Sequence, residues 1–146
     1  MSTLQPKVGM GIYILNENHE LLLFRRKGDH AGGMWCAPGG HLEHGETFLE
    51  CAIREAKEEC DLDVKSVEII GVVNNIYSPE KHYVNVDVIA HGVTGIPKIT
   101  EPDKSEDMGW FSLDSLPSPL LLSPINLFKT YPGLKDHMRT INSFMH

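Results

Sequence analysis

Glu55, Glu58 and Glu59 stand at positions i, i+3 and i+4, and at about 100° per residue they share one arc of a helix. Like charges at that spacing cost an isolated helix about 0.2–0.5 kcal/mol per pair. Their place near the helix C-terminus adds an unfavourable interaction with the macrodipole. Arg54 can reach Glu58, but Glu55 and Glu59 have no basic residue three or four positions away, and Asp61 and Asp63 add negative charge. A cation relieves such a cluster. Hard carboxylate oxygens suit Mg²⁺ or Mn²⁺, which keep part of their water shell and bridge to the phosphates of a substrate. A solvated acidic face is the plainer alternative, because water screens exposed charge. The segment in front, Trp35-Cys36-Ala37-Pro38-Gly39-Gly40-His41-Leu42-Glu43-His44-Gly45-Glu46, favours the metal: its glycines permit turns and a close approach of a ligand or ion to the backbone.

The elements that must position these groups can be read from pattern. Thr47 and Glu50 form a capping box at the start of a helix expected to run to Cys60. Leu49, Ala52, Ile53, Ala56 and Cys60 fall on one stripe, the expected buried face. Val8 to Leu15 and Glu20 to Phe24 are rich in strand formers and read as two adjacent strands around the turn-like Asn16 to His19. Lys27 to Gly40 holds five glycines and Pro38 and is expected to be a long, functional loop. Val67 to Tyr77 and Tyr83 to Val93 are further strands. In the second, Val84, Val86 and Val88 alternate with Asn85 and Asp87. Lys98 to Asp107 reads as acidic turns and Trp110-Phe111 as a last short strand. Ile125 to Phe144 reads as one or two helices broken at Pro132-Gly133. Strands that outnumber helices predict a mixed sheet covered by helices, an α/β (α+β) class.

At 146 residues and 41% hydrophobic, the chain is expected to form a single domain over residues 1–146. Its apolar runs are far shorter than the roughly 20 residues needed to cross a bilayer. Met1 to Lys7 lacks a signal-peptide layout, so a soluble, cytoplasmic protein is expected. Cys36, Cys51 and Cys60 fit neither paired disulfides nor a zinc spacing. A formal charge of -7 opposes binding to polymeric nucleic acid, whereas an isolated nucleotide can be held where metal ions stand between its phosphates and the protein's carboxylates.

Gly40, Glu46, Arg54, Glu55, Ala56, Glu58, Glu59 and Leu62 resemble the Nudix box, G-x5-E-x7-R-E-U-x-E-E-x-G-U with U apolar, and only Asp61 departs, standing where that pattern has glycine. The run from Gly39 to Thr47, Asn75, His82-Tyr83-Val84, and Glu101 to Glu106 before Trp110 is similar to one branch of the Nudix family. That branch holds the human thiopurine-nucleotide hydrolase and the plant cytosolic dihydroneopterin-triphosphate hydrolase. The resemblance implies an α/β/α sandwich around a central mixed sheet, dependence on Mg²⁺ or Mn²⁺, a nucleotide substrate and, in this branch, often a homodimer.

Carried over residue by residue, the box implies that Glu55, Glu58 and Glu59 bind metal, with the Gly40 carbonyl as a further oxygen. Glu46 and Arg54 then pin the loop to the helix and orient Glu55. Arg54 reads equally as an ordinary i, i+4 partner of Glu50 or Glu58. A distal acid is expected among Glu101, Asp103, Glu106 and Asp107, and Glu106 is chosen for its place shortly before Trp110. For the substrate, Arg26, among Arg25 to Lys27, is the expected phosphate contact. Trp35, Tyr77, Tyr83 and Leu120 to Leu122 are candidates for an apolar slot, and Asn74 or Asn75 for reading a base edge. Core packing and turn positions are the alternatives for each. His41 and His44 read as loop residues near phosphate. The expected reaction is hydrolysis of a nucleoside triphosphate (a purine nucleotide, an oxidised dGTP or a pterin triphosphate) to monophosphate and pyrophosphate. Cleavage of ADP-ribose, NADH or another nucleoside diphosphate derivative is the enzymatic alternative, and a nucleotide-sensing domain the non-enzymatic one.

Overall fold

The computed structural model of the chain describes residues 4–29 and 31–144; the remaining positions of the expected 1–146 domain, and Met1 to Thr3 of the N-terminal stretch, lie outside the described residues. Two sheets form the centre. The first is mixed, in the order β4 (Gly39–His41), β1 (Lys7–Tyr13), β6 (Lys81–His91), β5 (Ser66–Ser78). Within it β1 and β6 run parallel, whereas β4 and β5 are antiparallel to their neighbours. The second is antiparallel, in the order β3 (Trp35–Cys36), β2 (Leu21–Arg26), β7 (Ser105–Phe111).

Helix α1 (Phe48–Cys60) covers one face, and α2 (Leu122–Thr130) with α3 (Leu134–Met138) the other. Strand alternation divides the core accordingly. Met10, Ile12, Leu22, Phe24, Val86 and Val88 meet Ala52, Ala56 and Cys60 of α1, while Tyr13, Leu21, Leu23 and Ile89 meet Leu127, Leu134 and Met138. Strands β1 and β2 are therefore apolar on both faces, which is why they read as runs rather than alternations. No helix among the described residues is long and apolar enough to cross a membrane.

The helix that matters most is built as its sequence predicts. The Thr47 hydroxyl accepts from the Glu50 amide at 3.1 Å and the Glu50 carboxylate accepts from the Thr47 amide at 3.0 Å. Asp61 ends the helix in the left-handed region at φ 58°, a conformation that aspartate tolerates better than most residues. Its carboxylate pairs with Lys57 and Lys98, each at 3.2 Å. Replacing Thr47 with alanine should cost about 1 kcal/mol of stability in urea titration, and an unchanged midpoint would show the cap to be idle.

Four expectations are corrected. Strands β1 and β2 do not pair along their length but belong to different sheets, linked through their backbones by the bridge between Leu15 and Leu21 and the bond from the Leu22 amide to the Ile14 carbonyl. The buried face of α1 is rotated: Ile53 is 42% exposed, and Cys51 and the carboxylate of Glu55 turn inward instead. Strand β7 starts at Ser105, inside the stretch expected to be turns, and pairs with the whole of β2. Helix ends at Met138, because the tail beyond it is drawn out by other partners. Ser143 accepts from the Val93 amide at 2.9 Å, its hydroxyl accepts from the Leu15 amide at 3.0 Å, and Phe144 bridges to Val93.

Candidate active site

Arg54 organises the acidic end. Its Nε donates to Glu46 Oε2 at 2.7 Å and one terminal nitrogen to Glu46 Oε1 at 3.0 Å, a two-pronged grip on the loop before the helix. The same nitrogen reaches the His41 carbonyl at 2.9 Å, and the other donates to Glu55 Oε1 at 2.7 Å. One guanidinium thus joins the loop, β4 and the helix, a task for which its rigid fork suits better than a lysine. The Arg54 grip, with the Glu43 amide donating as well, holds the Glu46 carboxyl down to about 2. Gly40 lies directly against Glu55, and a Cβ there would overlap the carboxylate.

Burial pushes the Glu59 carboxyl up to about 8; the Gly39 amide, donating at 2.9 Å, opposes the rise, and Glu55 and Glu101 add to it. Burial also raises Glu55, with Arg54 opposing. A buried acid with acidic neighbours is stable only with a proton or a cation. Among the described residues, no three histidine, cysteine or acidic side chains are gathered tightly enough to hold an ion as they stand. The donor set nevertheless fits a hard divalent cation: Glu59 has Arg26 in its field but no ion pair, Glu55 is backed by Gly40, and Glu58 is 55% exposed with only a 3.4 Å contact to Arg54.

These carboxylates line a cavity of about 630 Å³, a volume suited to a nucleotide-sized ligand. Arg26, Lys27, Lys104 and Glu101 also line it, and Tyr77, Tyr83, Asn85, Leu121 and Ser123 continue the wall. Tyr83 stacks on His41, with ring centroids 5.3 Å apart and planes inclined by 14°, and its hydroxyl lies 3.0 Å from His41 Nε2. Burial, with Lys7, Lys81 and Arg54 nearby, pushes His41 below the usual histidine range.

Of the expected residues, the structure brings together Gly40, Glu55, Glu58, Glu59, Arg26 and Tyr83 at this cavity, with Arg54 behind Glu55. Three others stand elsewhere. Trp35 packs edge-on against Phe111 at 4.9 Å in the core beneath α2. Asn75 is fully buried and spends its amide on Ser123 (3.0 Å) and Asn126 (2.9 Å), tying β5 to α2. Glu106 pairs with Arg25 at 3.4 Å on the exposed side of β7, whereas Glu101 lines the cavity. The expected slot is therefore represented by Tyr77, Tyr83 and Leu121 alone.

Sequence reasoning missed Asn85 and Asp87. Their alternation with valines reads as a solvated strand face, yet Asn85 is 9% and Asp87 0% exposed. The available signal was Gly9-x-Gly11 on β1, which registers opposite them. Burial pushes Asp87 up to about 7 from 3.8, against the bonds from Asn85 and the Gly11 amide. A carboxyl raised in the folded state stabilises the fold while protonated, and this contribution is lost as pH rises from about 4 to about 7. Asp87→Asn should consequently be the more stable protein at pH 8, by roughly 1–3 kcal/mol, with the advantage shrinking toward pH 4. Paired thermal melts across that range would expose a pH-independent gap as the contrary result.

The chain is similar to a series of known proteins. The NUDIX domain profile matches residues 5–132. The ADP-ribose pyrophosphatase of Methanocaldococcus jannaschii is 30% identical over 130 residues, which is 88% of this chain and 72% of that protein. The NAD-capped RNA hydrolase NudC of Pseudomonas aeruginosa is 30% identical over 112 residues, 77% of this chain but 39% of that longer protein. The 8-oxo-dGDP phosphatase of Mus musculus is 32% identical over 108 residues, 73% of this chain and 32% of that one. Among solved structures, a MutT NUDIX hydrolase from Burkholderia pseudomallei superposes with a TM-score of 0.78 at 35% identity, covering 84% of this chain and 96% of that one. With the box residues gathered on one cavity, the profile spanning nearly the whole chain and this structural match, the chain belongs to the Nudix family.

Proposed function

We propose that this chain is a divalent-metal-dependent pyrophosphohydrolase that cleaves a nucleoside triphosphate to the monophosphate and pyrophosphate. The observation that carries the reading is one cavity whose wall combines the carboxylates Glu55, Glu58 and Glu59, the cations Arg26, Lys27, Lys81 and Lys104, and the aromatic and amide side chains Tyr77, Tyr83 and Asn85. Glu55, Glu58, Glu59 and the carbonyl of Gly40 would hold Mg²⁺ or Mn²⁺. When bound, such an ion neutralises charge on the phosphates and makes a nearby water a better nucleophile. Arg54 keeps Glu55 in one orientation, and Arg26, Lys27 and Lys104 draw the polyphosphate toward the acidic end. Glu101, on the cavity wall, is better placed than Glu106 to take the proton from the attacking water. Tyr77 and Tyr83 offer aromatic faces to the base.

A second reading, cleavage of a nucleoside diphosphate derivative such as ADP-ribose, is favoured by the names of two relatives aligned above. The test is mass-spectrometric product analysis of dGTP, 8-oxo-dGTP, dihydroneopterin triphosphate, CTP, ADP-ribose and NADH, each with Mg²⁺ and with excess chelator. Monophosphate plus pyrophosphate from a triphosphate, lost with chelator, is the expected result. Turnover of ADP-ribose or NADH alone transfers the assignment to the second reading, and no turnover of any compound removes both.

A further inference from the structure

An α-helix leaves its last carbonyls without partners of its own. At the end of α1 those of Ala56 and Lys57 are taken locally, by the amides of Leu62 and Asp61. The next three are taken from far along the chain. The Thr100 hydroxyl, 42 residues away in sequence, donates to the Glu58 carbonyl. The Thr100 amide donates to the Glu59 carbonyl at 3.4 Å and the Lys98 amide to the Cys60 carbonyl at 3.1 Å. Ile99 packs against the core between them, and Lys98 pairs with Asp61 at 3.2 Å. Residues 98–100 thus close the end of the helix that carries Glu55, Glu58 and Glu59.

The residue after this anchor is Glu101, which lines the cavity. Burial raises the carboxyls of both Glu55 and Glu59, and the charge of Glu101 adds to the rise in each, so the three acids share one field. On its other side Glu101 leads into a turn. Its carbonyl accepts from the amides of Lys104 at 2.9 Å and Ser105 at 3.1 Å, and Lys27, just past β2, donates to the Lys104 carbonyl at 2.9 Å. The turn therefore ties Glu101 to β2 and β7, whereas Thr100 ties it to α1. The ion pair of Glu101 with Lys104, at 3.0 Å, is largely exposed on the lysine side and fixes little by itself.

We propose that Thr100 is a positioning residue of this site: its hydroxyl, on the Glu58 carbonyl, holds Glu101 beside Glu55 and Glu59, so that a carboxylate from a second segment of the chain completes the acidic group. This rests on the reading that the site takes a divalent cation and hydrolyses a nucleotide. Threonine suits the task, because its branched side chain is stiff at χ1 and its hydroxyl and amide together occupy two successive carbonyls of the helix. Adjacent Cα atoms are about 3.8 Å apart, so a fixed Thr100 leaves Glu101 little freedom relative to α1. Without the hydroxyl, residue 100 keeps only its 3.4 Å amide bond. Glu101 then gains roughly an ångström of play, which harms turnover more than binding.

The experiment compares Thr100→Val, Thr100→Ser, Glu101→Gln and the double variant Thr100→Val with Glu101→Gln. Thr100 is exposed, so its variants should fold and melt within about 4 °C of the wild type. On the triphosphate turned over fastest, Thr100→Val should lower kcat by about ten- to a hundredfold with KM within about threefold, and Thr100→Ser, which keeps the hydroxyl, should stay within about threefold on both. In the Glu101→Gln background Thr100→Val should cost less than about twofold more, because the group it positions is already gone. Calorimetric titration with Mn²⁺ alone gives a readout without turnover: affinity should fall about tenfold in Thr100→Val and in Glu101→Gln and be kept in Thr100→Ser. Wild-type Mn²⁺ affinity or wild-type kcat in Thr100→Val overturns the proposal. So do losses that multiply with those of Glu101→Gln, the result for a hydroxyl that only caps the helix. If Mn²⁺ affinity follows Thr100 and Glu101 yet no nucleotide is hydrolysed, this proposal stands and the hydrolase reading falls. If triphosphates are hydrolysed and Thr100→Val behaves as the wild type, the outcome is the reverse, and a wild type that neither binds Mn²⁺ nor hydrolyses a nucleotide removes both.

Discussion

Glu58→Gln should lower kcat by about a thousandfold and leave the melting temperature within about 2 °C of the wild type. The side chain is 55% exposed and its contact to Arg54 is long, at 3.4 Å, so the fold loses nothing of weight when the charge goes. The acidic end, by contrast, loses one of the three carboxylates proposed to hold the cation, and glutamine presents a single, neutral oxygen in its place. Turnover under saturating Mg²⁺ together with a thermal melt checks both halves. A variant that keeps a tenth or more of the wild-type kcat would show that Glu58 belongs to the solvated face and not to the site.

Two adjacent glycines should give opposite results when each is changed to alanine. At Gly40 the added methyl overlaps the Glu55 carboxylate, the mobile end of a side chain, which can swing aside. The protein should therefore fold, while kcat falls by about a hundredfold, the scale of loss that follows from moving a reacting group by roughly an ångström. At Gly39 the methyl overlaps the backbone carbonyl of Met10 on the neighbouring strand, and backbone cannot move aside. That variant should melt roughly 4–10 °C lower, because β4 is pushed off β1. Equal activity losses with equal melting temperatures would refute the distinction and with it the role assigned to Gly40.

The contiguous part of the site was legible in the sequence because its residues are close along the chain. Glycine loop, capping box and three glutamates occupy one stretch from Gly39 to Cys60, and the structure keeps them on one loop and one helix. What was not legible depends on pairing between distant segments. That β1 and β2 part into different sheets follows from β1 finding β6 as a parallel neighbour some seventy residues away. The inward turn of Glu55 and the outward turn of Ile53 depend on Arg54 reaching back to the His41 carbonyl and to Glu46, contacts that a helical wheel does not contain. In the sequence, proximity to Trp110 favours Glu106 over Glu101. Strand β7 carries Glu106 outward to Arg25, however, while the turn before it leaves Glu101 at the cavity. Asn85 and Asp87 were hidden because alternation reveals two faces of a strand without saying which of them meets water.

The cavity's carboxylates and its aromatic and amide residues differ in how they are encoded. The glycine and carboxylates proposed to hold the metal come from a single run of about twenty residues, so they can be inherited or lost as a block. The aromatic and amide residues proposed to meet the base come singly from β5, β6 and the segment leading into α2, so each could change by itself while the carboxylates stay. A scaffold wired in this way would change its substrate by isolated point changes, and relatives about 30% identical to this chain are named for NAD-capped RNA, ADP-ribose and 8-oxo-dGDP.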